Sequence, residues 1–216
     1  MTQFIIDFQA FKDEENRYIL KEIAVIAVET DEVGHCIIKP PYPGDMLSEK
    51  CREQVSYIVT YQHGICWEDG YIKYVDAIRL VRDMTKNAVQ VFIKGSERAK
   101  FIRKLTGKPT IDFDTLNCPR AKNLANVESS PDCFYYRHTP KYHMNFEACS
   151  LRRVYKLKEW YLNYLKKLSS IKSNEKAEDE HDTVEKGYDV VPSRIQECLR
   201  SRPTSSKSKF TRGSNY

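Results

Sequence analysis

FIIDFQAF, residues 4–11, is an apolar run of β-branched and aromatic side chains broken by one acid, Asp7, and one amide, Gln9. Runs of this length and composition form core strands. The carboxylate in its middle decides how the rest of the chain is read. Asp7 is a metal ligand on the first strand of a nuclease, the remnant of such a ligand, or a polar break in an ordinary strand.

Working outward, the polar turn KDEENR leads into YILKEIAVIAVET, residues 18–30, a second strand, and a turn at Asp31-Glu32-Val33-Gly34 leads into a third, GHCIIKP. Connections this short between strands imply an antiparallel meander. PPYPGD then ends the regular pattern, and Ser48 is placed to cap a helix that runs to about residue 62 and stops at Gly64. A second helix over residues 74–84 carries Val75, Ile78, Leu80, Val81 and Met84 at helical spacing, as expected of a helix laid on a sheet. AVQVFIK, residues 88–94, reads as a strand buried on both faces, and Ser96 as the N-cap of the helix that follows and ends before Gly107. A short fifth strand is expected at residues 110–112 and a long helix over about 148–168, with Val154, Leu157, Tyr161, Leu165 and Leu168 as its core-facing stripe. The fold class predicted is α/β: a mixed five-stranded sheet, three antiparallel strands followed by α/β units, with flanking helices.

A chain of 216 residues holds one domain of ordinary size plus an appendage. The domain is expected over residues 1–170. From residue 171 an acidic stretch and then a basic, Ser-rich one lack core residues, so 171–216 reads as a disordered charged tail that can engage protein partners. No apolar run reaches the roughly 18 residues of a membrane span, and seven cysteines without regular spacing argue against a secreted disulfide framework. These features predict an intracellular protein, cytoplasmic or nuclear, without a membrane partner. The net charge of +5 allows a nucleic-acid partner without requiring one.

The strand order, with an acid on strand one, resembles the ribonuclease H-like fold of the DEDD 3′–5′ exonucleases over most of the predicted domain. Asp7-Phe8-Gln9 matches their Asp-x-Glu motif, and VFIKGSERAKFIRKL lies where their second acidic motif sits. The resemblance implies two-metal phosphodiester hydrolysis, which needs about four carboxylates. Here Gln9 replaces the second acid, the third falls near Ala99, and Arg153 in ACSLRRV occupies the place of the fourth. Asp7 alone remains, so the expectation is an exonuclease fold that has lost its catalytic chemistry. The alternatives are an active Mg²⁺-dependent nuclease with a rearranged acid set around Asp7, drawing on Glu97, Glu22, Asp112 or Asp114, and a protein-interaction scaffold.

DCFYYRHTPKYHMNFEAC presents Cys133, His138, His143 and Cys149 ahead of the last helix, thiolate and imidazole donors of the kind that make structural zinc sites. The spacing is also that of two buried thiols and two surface histidines. The chain further resembles the Maelstrom domain, a ribonuclease H-like module of germline RNA pathways that lacks the exonuclease carboxylates and carries a Glu, Cys, His, Cys zinc set. That resemblance implies Glu22, Cys133, His138 and Cys149 as ligands to a structural zinc, with His143 as the alternative imidazole. It also implies RNA or another single-stranded nucleic acid as partner. The cations that would meet phosphates are Arg98, Lys100, Arg103 and Lys104 on one helix and Arg152, Arg153 and Lys156 on the last, where Tyr155, Trp160, Tyr161 and Tyr164 can stack bases or pack the core.

Overall fold

A computed structural model describes residues 2–138 and 147–178, with side chains to residue 171. Five strands form one mixed sheet: β1 (Thr2–Lys12), β2 (Tyr18–Ala27), β3 (Val33–Ile37), β4 (Ala88–Ile93) and β5 (Thr110–Asp112), in the order β3-β2-β1-β4-β5. β1 to β3 are antiparallel neighbours, as short turns require, while β4 and β5 run parallel to β1 because helices make the crossovers. The helices are α1 (Glu49–Tyr61), α2 (Tyr74–Thr85), α3 (Ser96–Thr106), α4 (Phe134–His138) and α5 (Ser150–Glu178).

The alternation of β1 sorts its side chains between two layers. Phe4, Ile6 and Phe8 pack with Ala77 and Val81 of α2 and Ala99 and Ile102 of α3. Ile5 packs on the opposite face with Val154, Leu157 and Tyr161 of α5. Asp7, two residues beyond Ile5, therefore belongs to the α5 face. The expected α5 stripe buries Val154, Leu157 and Tyr161, but Leu165 is exposed and Leu168 only partly buried. A third cluster gathers Phe11, Ile19, Cys51, Val55 and Trp67 beneath α1.

Ser48 caps α1 as expected, its hydroxyl accepting from the Cys51 amide at 3.4 Å. Ser96 does not cap α3. The N-cap is Gly95, at φ 102°, whose amide donates to Asp112 Oδ1 at 2.7 Å, so the strand-to-helix turn is tied to β5 instead. The Cys/His-rich segment contains the short α4. The last helix extends to Glu178 rather than about residue 168, and the charged segment expected to form a tail lies, from residue 179, outside the described residues.

One irregularity in the sheet matters for the site. The β1–β2 ladder steps from Gln9–Glu22 to Ala10–Leu20, leaving Lys21 as an extra residue in β2. Bulges of this kind re-aim side chains, and here Lys21 and Glu22 are both completely buried. Lys21 Nζ donates to the carbonyls of Ile38, Trp67 and Asp69 at 2.9, 2.6 and 2.6 Å, which fastens the loop after α1 to the end of β3. Gly70 completes that loop at φ 138°, and a Cβ there would lie 2.4 Å from the Ile38 carbonyl carbon. Gly70→Ala is expected to cost about 2–4 kcal/mol, read as a lower urea midpoint at unchanged slope, since backbone on both sides cannot yield. No helix among the described residues is long and apolar enough to cross a membrane.

Candidate metal centre and the cleft over Asp7

Four side chains from four elements converge beside the bulge. Glu22 comes from β2, and His35 from β3, where it lies opposite Ala24 and so on the same sheet face as Glu22. Cys133 immediately precedes α4, and Cys149 immediately precedes α5. One donor atom from each lies within 4.8 Å of all the others. His35 Nε2 is 2.8 Å from Glu22 Oε1 and 4.0 Å from Cys133 Sγ, and the Cys149 thiol donates to Glu22 Oε1 at 3.3 Å. Glu22 Oε2 also accepts the Ser150 amide at 3.0 Å, which caps the first turn of α5.

The donor set fits a tetrahedral ion. Bonds of about 2.0–2.3 Å to nitrogen, oxygen and sulfur place neighbouring donors about 3.3–3.8 Å apart, and the distances here scatter around that range. The four groups also hydrogen-bond among themselves, which shifts the titration of His35, Cys133 and Cys149. The hydrogen bond from Cys149 draws the Cys133 thiol down to about 5, against burial and with help from His35. The same shared proton, together with burial and Glu22, pushes Cys149 up. Burial alone would lower His35, but its bonds to Cys133 and Glu22 carry it up to about 9. A bound divalent ion would displace those protons and neutralise the buried anions.

Three of the expected ligands, Glu22, Cys133 and Cys149, are thus brought together, and the fourth is not. His138 stands at the exposed end of α4, stacked on Phe134 with ring centroids 4.1 Å apart, while its Nδ1 bonds the Phe134 carbonyl at 2.9 Å. The imidazole in the cluster is His35. Its only sequence signal was a lone polar residue in an apolar third strand, and strand register, which puts it diagonally across from Glu22, is not written in either segment. His143 lies outside the described residues.

Asp7 faces cations rather than acids. β4 pairs with β1 only from Thr2 to Ile5, so beyond Ile5 that edge of β1 has no strand beside it. Arg98, at the start of α3, covers the gap. Its Nη2 pairs with Asp7 Oδ1 at 2.8 Å and donates to the Phe8 carbonyl, and its guanidinium lies 4.3 Å from the centroid of the Phe8 ring. Arg153 approaches from α5, Nη1 to Asp7 Oδ2 at 3.9 Å. Gln9 donates to the Ala148 carbonyl. Of the other acids considered for a rebuilt site, Glu97 pairs with Lys100 at 2.8 Å, Asp112 accepts from the Gly95 and Asp114 amides, and Asp114 pairs with Lys94. Among the described residues, the only group able to hold a metal ion is the one around Glu22, and Asp7 is not part of it.

The predicted basic surface divides in two. On α3, Lys100 and Lys104 are exposed and Arg103 donates to the Thr110 carbonyl at 2.8 Å. On α5, Lys156 is buried against Glu147 at 2.6 Å and Arg152 lies 4.0 Å from the same acid. Lys158, which extends this row, is also buried, its amine donating to the Ala27 carbonyl at the end of β2 at 3.0 Å and to the Thr30 carbonyl in the turn that follows. The aromatic residues of α5 pack rather than project. Trp160 meets Phe113 edge-on at 5.5 Å and stacks on Tyr164 at 5.3 Å, and Tyr161 sits 4.6 Å from Phe92.

No protein-family model matches the chain, and no curated protein matches its sequence.

Proposed function

We propose that the domain is a ribonuclease H-like relative of the DEDD 3′–5′ exonucleases that binds RNA or another single-stranded nucleic acid without cutting it. Zinc, held by Glu22, His35, Cys133 and Cys149, is its structural staple. The observation that carries this reading is the company of Asp7: two guanidiniums and an amide stand where hydrolysis would need carboxylates. Cations in that position repel magnesium and attract phosphate. The zinc assignment follows from the soft, mixed donor set, since magnesium and calcium prefer oxygen ligands. A Maelstrom-like role is supported by the shared Glu, Cys and Cys positions. His35 departs from that pattern. Free thiols in such a centre suit a reducing compartment, cytoplasm or nucleus.

Labelled single-stranded RNA incubated with the protein and Mg²⁺ or Mn²⁺ is expected to remain intact while its mobility shifts on a native gel. Cleavage that disappears in Asp7→Ala would instead establish a working nuclease, and intact RNA with no shift at low salt would remove the binding function.

A further inference from the structure

In the cleft over Asp7 two cations meet one carboxylate: Arg98 and Arg153 share it. Beside them Arg152 and Lys156 share Glu147 and line a pocket with Glu128 and Asp132. The two groups are continuous: Arg153 Nε donates to the Glu147 carbonyl at 3.0 Å, and Gln9 reaches the next carbonyl along, that of Ala148. The first turn of α5 contains no acid, so the helix dipole adds to the positive field there. Glu22, buried on the Ser150 amide, and Glu147 offset part of it. Access is asymmetric as well. The Arg98, Arg152 and Arg153 side chains are 22%, 31% and 27% exposed, whereas that of Asp7 is 2% exposed and lies beneath them. An anion arriving from solvent meets guanidiniums first.

The two arginines on Asp7 are held differently. Arg98 is fixed by its bonds to Asp7 and Phe8 and by the aromatic ring under it. Arg153 is fixed only at Nε. Its Nη1 is beyond hydrogen-bonding distance of Asp7, whose Oδ2 accepts no hydrogen bond. Among the described residues the terminal nitrogens of Arg153 make no hydrogen bond, and they are free to close on a ligand.

We propose that this cleft is a metal-free phosphodiester site, in which Arg98 and Arg153 grip one backbone phosphate of a single-stranded nucleic acid. Asp7 serves as a positioning residue for Arg98, while its charge competes with the phosphate for Arg153. The site lies beside the middle of β1, beyond the last β1–β4 pair, Ile5–Phe92, and so near the carboxyl end of β4. Guanidinium donors in a fixed fork match phosphate oxygens two at a time. This inference rests on the nucleic-acid-binding function proposed above and locates it.

The test is binding of a labelled single-stranded oligonucleotide to the full chain across a salt series, for the wild type, Arg98→Gln, Arg153→Gln, Asp7→Asn and, as a charge control, Lys86→Gln. Each arginine substitution is expected to weaken binding about tenfold and to flatten the slope of log K against log salt by about 0.7, the loss of one phosphate contact. Lys86→Gln is expected to leave both unchanged. Asp7→Asn keeps an oxygen for Arg98 but removes the competing negative charge, so binding should tighten about threefold with a steeper salt slope. A merely structural aspartate would give weaker binding or none of these changes. Salt-sensitive binding by the wild type that neither arginine substitution alters overturns the site and leaves the function standing. Absence of wild-type binding overturns both. Should an arginine variant melt early by circular dichroism, Asp7→Asn decides alone: unchanged or weaker binding rejects the proposal.

Discussion

His35→Ala and Cys149→Ser are each expected to purify with little zinc and to melt about 10–15 °C below the wild type, whereas His138→Ala should keep a full equivalent of zinc and the wild-type melting temperature. The centre joins segments far apart in the chain. Glu22 and His35 belong to the antiparallel half of the sheet, and Cys133 and Cys149 to the approach to α4 and α5. Structural zinc supplies about 10–16 kcal/mol of binding free energy in small fingers, much of it as folding free energy. This chain also has three apolar clusters of its own, so only part of that is at stake. A loss of about 4 kcal/mol, at roughly 3 °C per kcal/mol for a domain of this size, gives the shift stated. Cys118→Ser, at a buried thiol outside the centre, is the control that should retain zinc. Elemental analysis beside a thermal melt reads both outcomes. Zinc lost from His138→Ala and kept by His35→Ala would return the imidazole ligand to the Cys/His-rich segment.

Lys21→Met is expected to destabilise the domain by about 3 kcal/mol at pH 7, and the gap should widen in alkali. Two effects oppose each other. Burial lowers the Lys21 amine to about 8, against Asp69 and Glu68, so the charged form is carried at a cost. Methionine removes that cost but strands the carbonyls of Ile38, Trp67 and Asp69, at about 1–3 kcal/mol for each buried group left without a partner. Three unmet carbonyls outweigh one desolvated ammonium. The pH dependence follows from the direction of the shift. Between about pH 8 and 10.5 the unfolded chain holds the lysine proton and the folded chain does not, so the contribution of Lys21 to stability rises with pH. The difference in unfolding free energy between wild type and Lys21→Met should therefore grow by up to about 1.4 kcal/mol per pH unit across that window. Paired urea titrations at pH 7.5 and pH 9.5, roughly the ends of the usable part of that window, measure it. A gap that is constant or shrinking would mean that Lys21 is not the donor holding the loop.

The strands and helices were largely legible because their signals are local. Alternating or continuous apolar runs, Ser48 before α1 and Gly107 after α3 act within a few residues of where they stand. Misreadings occurred where a distant group intervened. Ser96 is a good capping residue by type, yet Asp112, 17 residues away from Gly95, takes hold of the turn one residue earlier. Residue type puts Lys156 of α5 among the cations that would meet phosphates, yet it is buried on Glu147, and Lys158 is drawn 131 residues back to the Ala27 carbonyl.

The same division runs through the site. By itself the sequence determined that a strand bearing a lone aspartate opens an α/β sheet and that Cys133 and Cys149 are candidate ligands. Each of these depends on residue type and periodicity along one segment. Only the tertiary structure decided that His35 rather than His138 completes the centre, that Lys21 turns inward, and that Arg98 and Arg153 meet over Asp7. Those outcomes depend on strand register, on one extra residue in β2 and on where β4 stops beside β1. Such quantities are set by the simultaneous packing of segments as much as 90 to 98 residues apart, and no one of those segments encodes them.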